Sequence, residues 1–374
     1  MIIEKLAFTD TKWQKLEQNI IEKKSVDLVF VFGDIDSVER YNHYKLLQNF
    51  YPKAHIVISS TAGNILDTSI DTYSAVATAI SFKNAYVKVS SIEIQNNNTQ
   101  NEIQTCIDSL QNIELKHLFF FGPGIQEEGD FLDSLTIQNR VSISGGFGGD
   151  SFRFDHTYQQ YNNSGSPDTF IIVGLYGSSL HIETSSETGW QEFGSQRVIT
   201  KAKNNIVYEI DNQPAIELYR RYLGTKTDNL PKNALRFPLS IKDDQKDKQR
   251  VIRALMKVNK DESLTFSAAI KEGSIVKLMK TNVHNTLDSA FLASKKIRPF
   301  NTNRSLTLIV SCCARRNVLK QFSEEEVEII QDILTSKTQI IGFYSYGEIA
   351  PLQNKYEKSR LKNQTITITT IYEE

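Results

Sequence analysis

The sequence predicts an α/β chain, of the α+β kind, with mixed β-sheets flanked by helices in a two-part architecture. Three observations carry this. The first half alternates apolar runs with segments of helical spacing. It then passes into strands with period-two alternation, which a purely parallel, doubly wound sheet would not contain. Near the end, residues 305 to 345 read strand, helix, strand, the order of a parallel crossover unit. The chain has 374 residues, 40% hydrophobic and 23% charged, which marks a folded protein with enough length for two domains.

The elements follow in order. SVDLVFVFGD (25–34) is an apolar run closed by Gly33-Asp34 and predicts a buried strand. Val38, Tyr41, Tyr44, Leu46 and Leu47 predict one helix over 37–52, stopped by Pro52. AHIVISSTAGNI is a strand that runs into a small-residue loop; ATAISF and AYVKVSSIEI are strands, the second with clear alternation. NEIQTCIDSLQNI is a helix with Ile103, Ile107 and Leu110 on one face. KHLFFFGPG is a strand ending in a turn, GDFLDSLTIQN a short helix, and VSISGGFGGDS a strand ending in a glycine cluster. DTFIIVGLYG and SLHIETSSETGW read as a hairpin around Gly177-Ser178-Ser179.

DNQPAIELYRRYLG (211–224) is a helix with Pro214 in its first turn and Gly224 at its end. The polar stretches TKTDNLPKNA and IKDDQKDKQR beyond it read as solvated loops, so the boundary lies at this helix: a first domain over 1–215 and a second over 216–374. RVIRALMKV, SLTFSAAI and EGSIVKLMK are strands, and NTLDSAFLASKKI is a helix. SLTLIVSCCARR is a buried strand ending in cysteines and arginines. SEEEVEIIQDIL opens with Ser323 three residues before Glu326, a capping box. TQIIGFYSYGEI and QTITITTIY are the last strands.

Composition excludes several classes. Lys plus Arg (43) against Asp plus Glu (44) leaves a net charge of −1, with no basic footprint for nucleic acid. No apolar run approaches the ~18 residues that a membrane helix needs. The N-terminus, with early acids and no continuous apolar core, is not a signal peptide. Cys106, Cys312 and Cys313 form no disulfide framework, and no zinc spacing occurs. The six histidines (43, 55, 117, 156, 181, 284) show no metal spacing, and a G-x-x-x-x-G-K-[ST] loop is missing. The expectation is a cytoplasmic protein with no membrane insertion, no metal and no cofactor.

Four small-residue loops stand at strand ends: SSTAGN (59–64), FGPG (121–124), GGFGGD (145–150) and GFYSYGE (342–348). Ligands gather where such loops converge, and glycine lets backbone approach closely. Each loop alone reads first as a turn. In SCCARR, Arg315 could fork onto a carboxylate. The arginines could also draw Cys312 or Cys313 toward a reactive thiolate; packed cysteines and solvated arginines are the alternative. Asp150 and Asp155 flank SFRF, as an acid–base pair or as a loop-organising Asx turn.

Taken in order, DLVFVFGD, VISSTAGNI, SISGGFGGD, TGWQEFGSQRVITKAKNNIVYEIDNQPAIELYRRYLG, SCCARR, GFYSYGEIAP and LKNQTITIT resemble the FIST (F-box and intracellular signal transduction) family over residues 25 to 372. This is a bacterial sensory module with an N-terminal and a C-terminal domain. The sequence departs from it at Asn64, where an acidic residue is usual, and at Ser59 and Ser60, where a cysteine is often seen.

The resemblance implies a stand-alone intracellular sensory protein that binds a small ligand, an amino acid among the candidates, between strand-end loops. It implies a signalling protein partner. With its last strand ending just before Glu374, the chain is expected to carry no output domain of its own. Thr61, Gly63, Gly145, Gly146, Asp150, Cys312, Arg315, Phe343, Tyr344, Tyr346, Glu348 and Asn363 are the candidate ligand-binding residues; none is expected to be catalytic. Glu348, collared by Phe343, Tyr344 and Tyr346, would receive an ammonium, with cation–π attraction worth ~0.5–2 kcal/mol. Arg315 would take the carboxylate. The other reading pairs Glu348 with Arg315 directly. Two further functions compete: a thiol-dependent enzyme using Cys312 or Cys313, and a protein-interaction scaffold.

Overall fold

The computed structural model describes residues 1–16, 25–94, 99–124, 132, 135–137, 141–224, 227, 230, 232–242, 250–298, 304–334, 338–351 and 358–374. Within them the chain builds four mixed or antiparallel sheets.

Three sheets share one core. The first has seven strands around the parallel pair Leu28–Gly33 and His55–Ser60, with Ala75–Ser81 antiparallel beside it. The second, of six, has Leu115–Gly122 parallel to Ser142–Phe147 and antiparallel to Thr169–Tyr176. The third, also of six, has Ser305–Cys312 parallel to Thr338–Ser345 and antiparallel to Thr365–Glu373. Side chains alternate across a strand, so each sheet turns one apolar face inward. Phe30 and Phe32, Phe119 and Phe121, and Phe343 meet there. Ring centroids lie 4.6 Å apart for Phe32–Phe343, 5.7 Å for Phe30–Phe119 and 6.2 Å for Phe121–Phe343. The outer faces are covered by helices: Ile35–Arg40 and His43–Gln48 on the first sheet, Thr99–Leu110 on the second, Val283–Lys296 and Ser323–Leu334 on the third.

The fourth sheet, of eight strands, stands on its own core. Its long strand Gln191–Lys203 pairs with Ile275–Lys280 at one end and Ile206–Ile210 at the other. Helix Ala215–Leu223 buries Ala215, Leu218, Tyr219 and Leu223 against it. Sheets two and three both draw strands from either side of residue 215.

Several elements depart from expectation. The helix expected over 37–52 is two helices, because Asn42 accepts from the Lys45 backbone N–H at 2.9 Å and caps a new start. The hairpin expected around 177–179 does not form: Thr169–Tyr176 already pairs on both edges, with Tyr86–Glu93 and Leu115–Gly122. With no edge left there, Leu180–Thr188 pairs instead with Thr365–Glu373 in the third sheet. The run 338–349 breaks at Tyr346 between sheets three and two. RVIRALMKV breaks at Ala254 into strands at opposite ends of the fourth sheet. The helix expected from 211 starts at Ala215, since Asp211 and Asn212, both at positive φ, make a two-residue hairpin turn. The capping box does not close; the Ser323 hydroxyl donates to Lys320 O at 2.7 Å. The helix expected over 129–139 and the charged run 243–249 fall largely or wholly outside the described residues.

Gly145 shows how tightly the sheets fit. It has φ +143°, and a Cβ on it would stand 2.0 Å from Phe120 O. Gly145→Ala is expected to lower stability by at least ~1–3 kcal/mol through overpacking and strain, read as an earlier urea midpoint; an unchanged midpoint contradicts this.

Candidate functional site

The four glycine loops meet at one end of the three-sheet core, because there the chain passes from sheet to sheet. Thr61–Gly63 leads from the first sheet to the third, Gly148–Tyr158 from the second to the first, Tyr346 from the third to the second, and Asn363–Gln364 back again. These crossings bond to one another. Ala62 N–H donates to Tyr344 O at 2.8 Å and Tyr344 N–H to Gly63 O at 2.7 Å; Ser151 N–H donates to Thr61 O at 3.2 Å and Tyr346 N–H to Phe147 O at 3.3 Å; Gly148 N–H reaches Gly122 O at 2.9 Å. Arg316, not Arg315, ties SSTAGN to the C-terminal half. Its guanidinium donates to Ala62 O at 2.5 Å, pairs with Asp71 and lies 5.4 Å from the Tyr344 ring centroid.

Asp150 is the organiser of its loop. It accepts from the backbone N–H groups of Phe154 at 2.9 Å, Asp155 at 2.7 Å and His156 at 3.2 Å, and from the Tyr346 hydroxyl. Asx-turn bonding of this kind fixes a loop that otherwise holds Ser151, Phe152 and Phe154 at positive φ. Phe154 thereby stacks on Tyr346, with centroids 4.5 Å apart. Burial and the adjacent Asp150 push the Tyr346 phenol well up, so it stays a proton donor.

Where this end faces the fourth sheet there is a cleft of about 690 Å³. Gly124, Phe147, Phe154 and Tyr346 form one wall; the hairpin tip Lys203–Asn205, Lys257, Asn259 and Ser267 form the other, with Asn363 between. Asn363 is fixed there by Ser267, whose hydroxyl donates to Oδ1 at 2.6 Å. The described lining holds two lysines, several amides and aromatic rings, and no carboxylate. Such a surface presents donors and apolar faces to a small guest.

Of the residues singled out in the sequence, Tyr346 and Asn363 line this cleft. The others sit behind it. Phe343 belongs to the shared core, Gly63 packs under Arg316, and the Thr61 hydroxyl donates to Gly33 O at 3.2 Å. Gly146 packs against Val310. Sequence reasoning missed Phe154, Lys203, Lys257 and Asn259. Asn204, at φ +55° in KNN between two alternating strands, was the legible sign of a hairpin tip.

Arg315 and Glu348 do not share a pocket, which corrects the expected pair. Arg315 is fully buried with Glu326, donating from Nε at 2.8 Å and Nη2 at 2.5 Å, and it also donates to Ser289 Oγ and Thr286 O, each at 2.8 Å. Ser311 and Tyr344 reach Glu326 too, at 3.0 and 3.3 Å, so this network lies on the helix-covered face of the third sheet. Glu348 lies on the other face. It accepts from Ser345 Oγ at 2.5 Å, Thr365 N at 3.2 Å and Thr365 Oγ1 at 2.9 Å. Neighbouring residues on a strand point to opposite faces, and Ser311/Cys312 and Tyr344/Ser345 divide in that way. Burial pushes Glu348 well above the usual carboxyl range, with Cys312 adding to it, against the lowering bonds from Ser345 and Thr365. It is no open receptor for an ammonium. Cys312 and Cys313 are buried, and burial pushes the Cys312 thiol up, away from a reactive thiolate. Among the described residues, no cluster of three His, Cys, Asp or Glu side chains gathers to hold a metal.

Two outcomes follow. Arg315→Met leaves Glu326 buried without its partner and is expected to cost ~3–5 kcal/mol, or to prevent folding, by denaturant titration. Glu348 has a folded pKa raised above its ordinary 4.5, so its stabilising neutral form is fully present below about pH 4.5 and is lost as pH rises through the folded pKa. Glu348→Gln removes that loss. The variant's stability, relative to the parent, should therefore improve from about pH 5 to pH 8; a constant difference across that range contradicts this.

Residues 27–213 match the FIST N domain and residues 215–351 the FIST C domain. The chain is also 26% identical to an uncharacterized protein of Methanocaldococcus jannaschii, over 66% of this chain and 53% of that protein, so it spans about half the length of that relative. No helix among the described residues is long and apolar enough to cross a membrane. The two matched domains cover most of the chain, in the expected order and on the loops that meet at the cleft: the protein belongs to the FIST family, whose domains are sensory domains of signal transduction.

Proposed function

We infer that this chain senses a small anionic ligand, with an apolar or aromatic body, held in the cleft beside Tyr346 and Asn363. The observation that carries the reading is the chemistry of the described lining: Lys203 and Lys257, the amides of Asn204, Asn205, Asn259 and Asn363, the rings of Phe154 and Tyr346, and no carboxylate. A charged group entering such a site needs opposite charge or several donors, and these walls supply both to an anion. The volume of about 690 Å³ lies within the usual range for small-molecule sites. Among amino acids, the carboxylate would meet the lysines, while the ammonium would rest on amide oxygens and aromatic faces.

The same geometry supplies a route for the signal. A ligand against Phe154 or Tyr346 bears on the loop that Asp150 organises. That loop reaches the surface helix Ile35–Arg40 through Arg153–Asp36 at 2.5 Å and His156–Glu39 at 2.7 Å. These exposed pairs contribute little stability each, so they offer little resistance to a movement of the loop that follows Tyr346. A partner protein reading that surface would receive the change.

Calorimetric titration with a panel of small carboxylates, amino acids and neutral amides tests the reading. Carboxylates should bind, and Lys203→Ala/Lys257→Ala should weaken them by ~1.5–3 kcal/mol, the range for hydrogen bonds to charged groups. Tight binding of amines in preference to acids, or unchanged affinity in the double variant, would defeat it.

A further inference from the structure

The outer face of the third sheet carries the helices Val283–Lys296 and Ser323–Leu334 side by side. Each leads into one of the parallel strands Ser305–Cys312 and Thr338–Ser345, so the two helices run in the same direction. Thr286, Ala290 and Ala293 on the first and Glu326, Val327 and Ile330 on the second are buried against the sheet. Outside those rows both helices stay apolar. Phe291 is 44% exposed, Leu292 52%, and Phe322, just before the second helix, 37%. Leu287, Ile329 and Ile333 are half-buried, and none of the six belongs to a described core.

Helical spacing gathers most of them at one seam. Arg315 bonds Glu326 on the second helix and Thr286 and Ser289 on the first, so the Glu326 edge faces the first helix. Ile329 and Ile333 follow Glu326 at three and seven residues, along that edge. On the first helix, Lys296 reaches Glu187 of the edge strand Leu180–Thr188, on the side away from the second helix. Phe291, five residues back, lies about 140° round the helix from Lys296, and Leu287 stands one turn before it. The second helix lines the seam with acid. Glu325, Glu328 and Asp332 are exposed along it, and among the described residues none of the three has an ion-pair or hydrogen-bond partner. That helix has no basic residue in its last turn, so Asp332 stands where the helix dipole favours a cation. Carboxylates one turn apart also repel each other. On the first helix Lys295 lies over the Phe291 ring, 5.4 Å from its centroid, and Asp288 pairs with His284 at 3.2 Å.

We infer that this seam is a docking site for a basic amphipathic helix of a partner protein. Apolar side chains exposed singly need no explanation, but a contiguous set with a polar rim marks an interaction surface. A helix laid along the seam would offer it apolar anchors one turn apart. Its lysines and arginines would meet Glu325, Glu328 and Asp332, and would offset both the repulsion among them and the misplaced charge of Asp332. The same carboxylates repel an anionic membrane surface and nucleic acid. A second copy that set helix Ser323–Leu334 against its own counterpart would bring acid against acid. The inference uses no residue of the cleft and does not depend on what the cleft binds.

A fluorescently labelled amphipathic peptide of leucine and lysine, titrated with the full chain and followed by anisotropy, tests it. Saturable binding is expected, and none for the counterpart peptide of leucine and glutamate. Phe291→Ser/Leu292→Ser and Glu328→Lys/Asp332→Lys should each weaken binding at least tenfold. Glu93→Lys/Asp168→Lys, an equal change of charge on exposed acids at the second sheet, should leave it within twofold. Should the apolar pair fail to fold, Glu328→Lys/Asp332→Lys decides: a tenfold loss supports the site and an unchanged affinity overturns it. Absence of saturable binding in the parent, or equal losses in the seam and control variants, overturns it. So does a chain that sediments as a dimer and becomes a monomer in Phe291→Ser/Leu292→Ser, since the seam would then belong to a second copy.

Discussion

Three sheets facing one core is the constraint on which the rest of this structure depends. A chain that feeds three sheets must leave each one at its end and cross to another. Phe30, Phe32, Phe119, Phe121 and Phe343 hold the sheets at ring-contact distance, so the crossings have no room to wander. All but Gly148–Tyr158 are short, and glycine stands where backbone meets backbone: a Cβ on Gly149 would lie 2.4 Å from Ala62 N, and one on Gly124 would lie 1.9 Å from Gly148 O. The opposite end is closed differently. There Glu373 accepts from the backbone N–H groups of Lys83, Asn84 and Ala85 and pairs with the N-terminal amine at 3.2 Å. One end is tied by a buried carboxylate, the other by interlocked glycine loops, and it is the glycine end that faces the fourth sheet and the cleft.

The buried charges serve this frame. Arg315 and Glu326 join the short helix Cys313–Leu319, which follows the central strand Ser305–Cys312, to helices Val283–Lys296 and Ser323–Leu334. Taking both ions out of water is costly, and their attraction compensates only with full hydrogen bonding. Here the guanidinium has four contacts to three residues and the carboxylate also accepts from Ser311 and Tyr344. A shift of helix Ser323–Leu334 by a turn would separate the two charges, and a shift of helix Val283–Lys296 would leave guanidinium N–H groups without acceptors. Glu348, on the opposite face, is matched by hydroxyls instead of a cation, and burial pushes its carboxyl above the usual range.

Most elements were legible because periodicity reports burial, and burial decides strands such as Leu28–Gly33 and Ser305–Cys312. The crossover of 305–345 was legible too, and it is parallel as expected. What periodicity cannot carry is partner choice. Leu180–Thr188 alternates like one arm of a hairpin, yet its pairing is set by which edges remain unfilled. The same limit governs the site. Convergence of SSTAGN, FGPG, GGFGGD and GFYSYGE follows from their position at strand ends. The charge of Glu348 and Arg315 drew attention to two side chains whose partners, Thr365 and Glu326, are set by strand alternation at Ser345 and by the helix that begins at Cys313. Charge in a sequence marks what must be matched; it does not say by what.

That distinction bears on how the glycine end can respond to a guest. The strand Thr338–Ser345 gives way to Gly347–Pro351 with only Tyr346 between them, and the return crossing has only Asn363 and Gln364. The two crossings touch, since Asn363 Nδ2 donates to Tyr346 O at 3.4 Å. Tyr346 places its ring in the cleft and its hydroxyl on Asp150. Asn363 lines the cleft on one side and a second cavity of about 400 Å³ on the other. Behind both, Glu348 holds Thr365, the first residue of the returning strand. Displacement of Tyr346 in the plane of its ring thus acts on the Asp150 loop directly and on Asn363 through the backbone. A close-packed junction of this kind transmits a shift rather than absorbing it. The two cavities thus share Asn363 as a common wall, one hydrogen bond away from Tyr346.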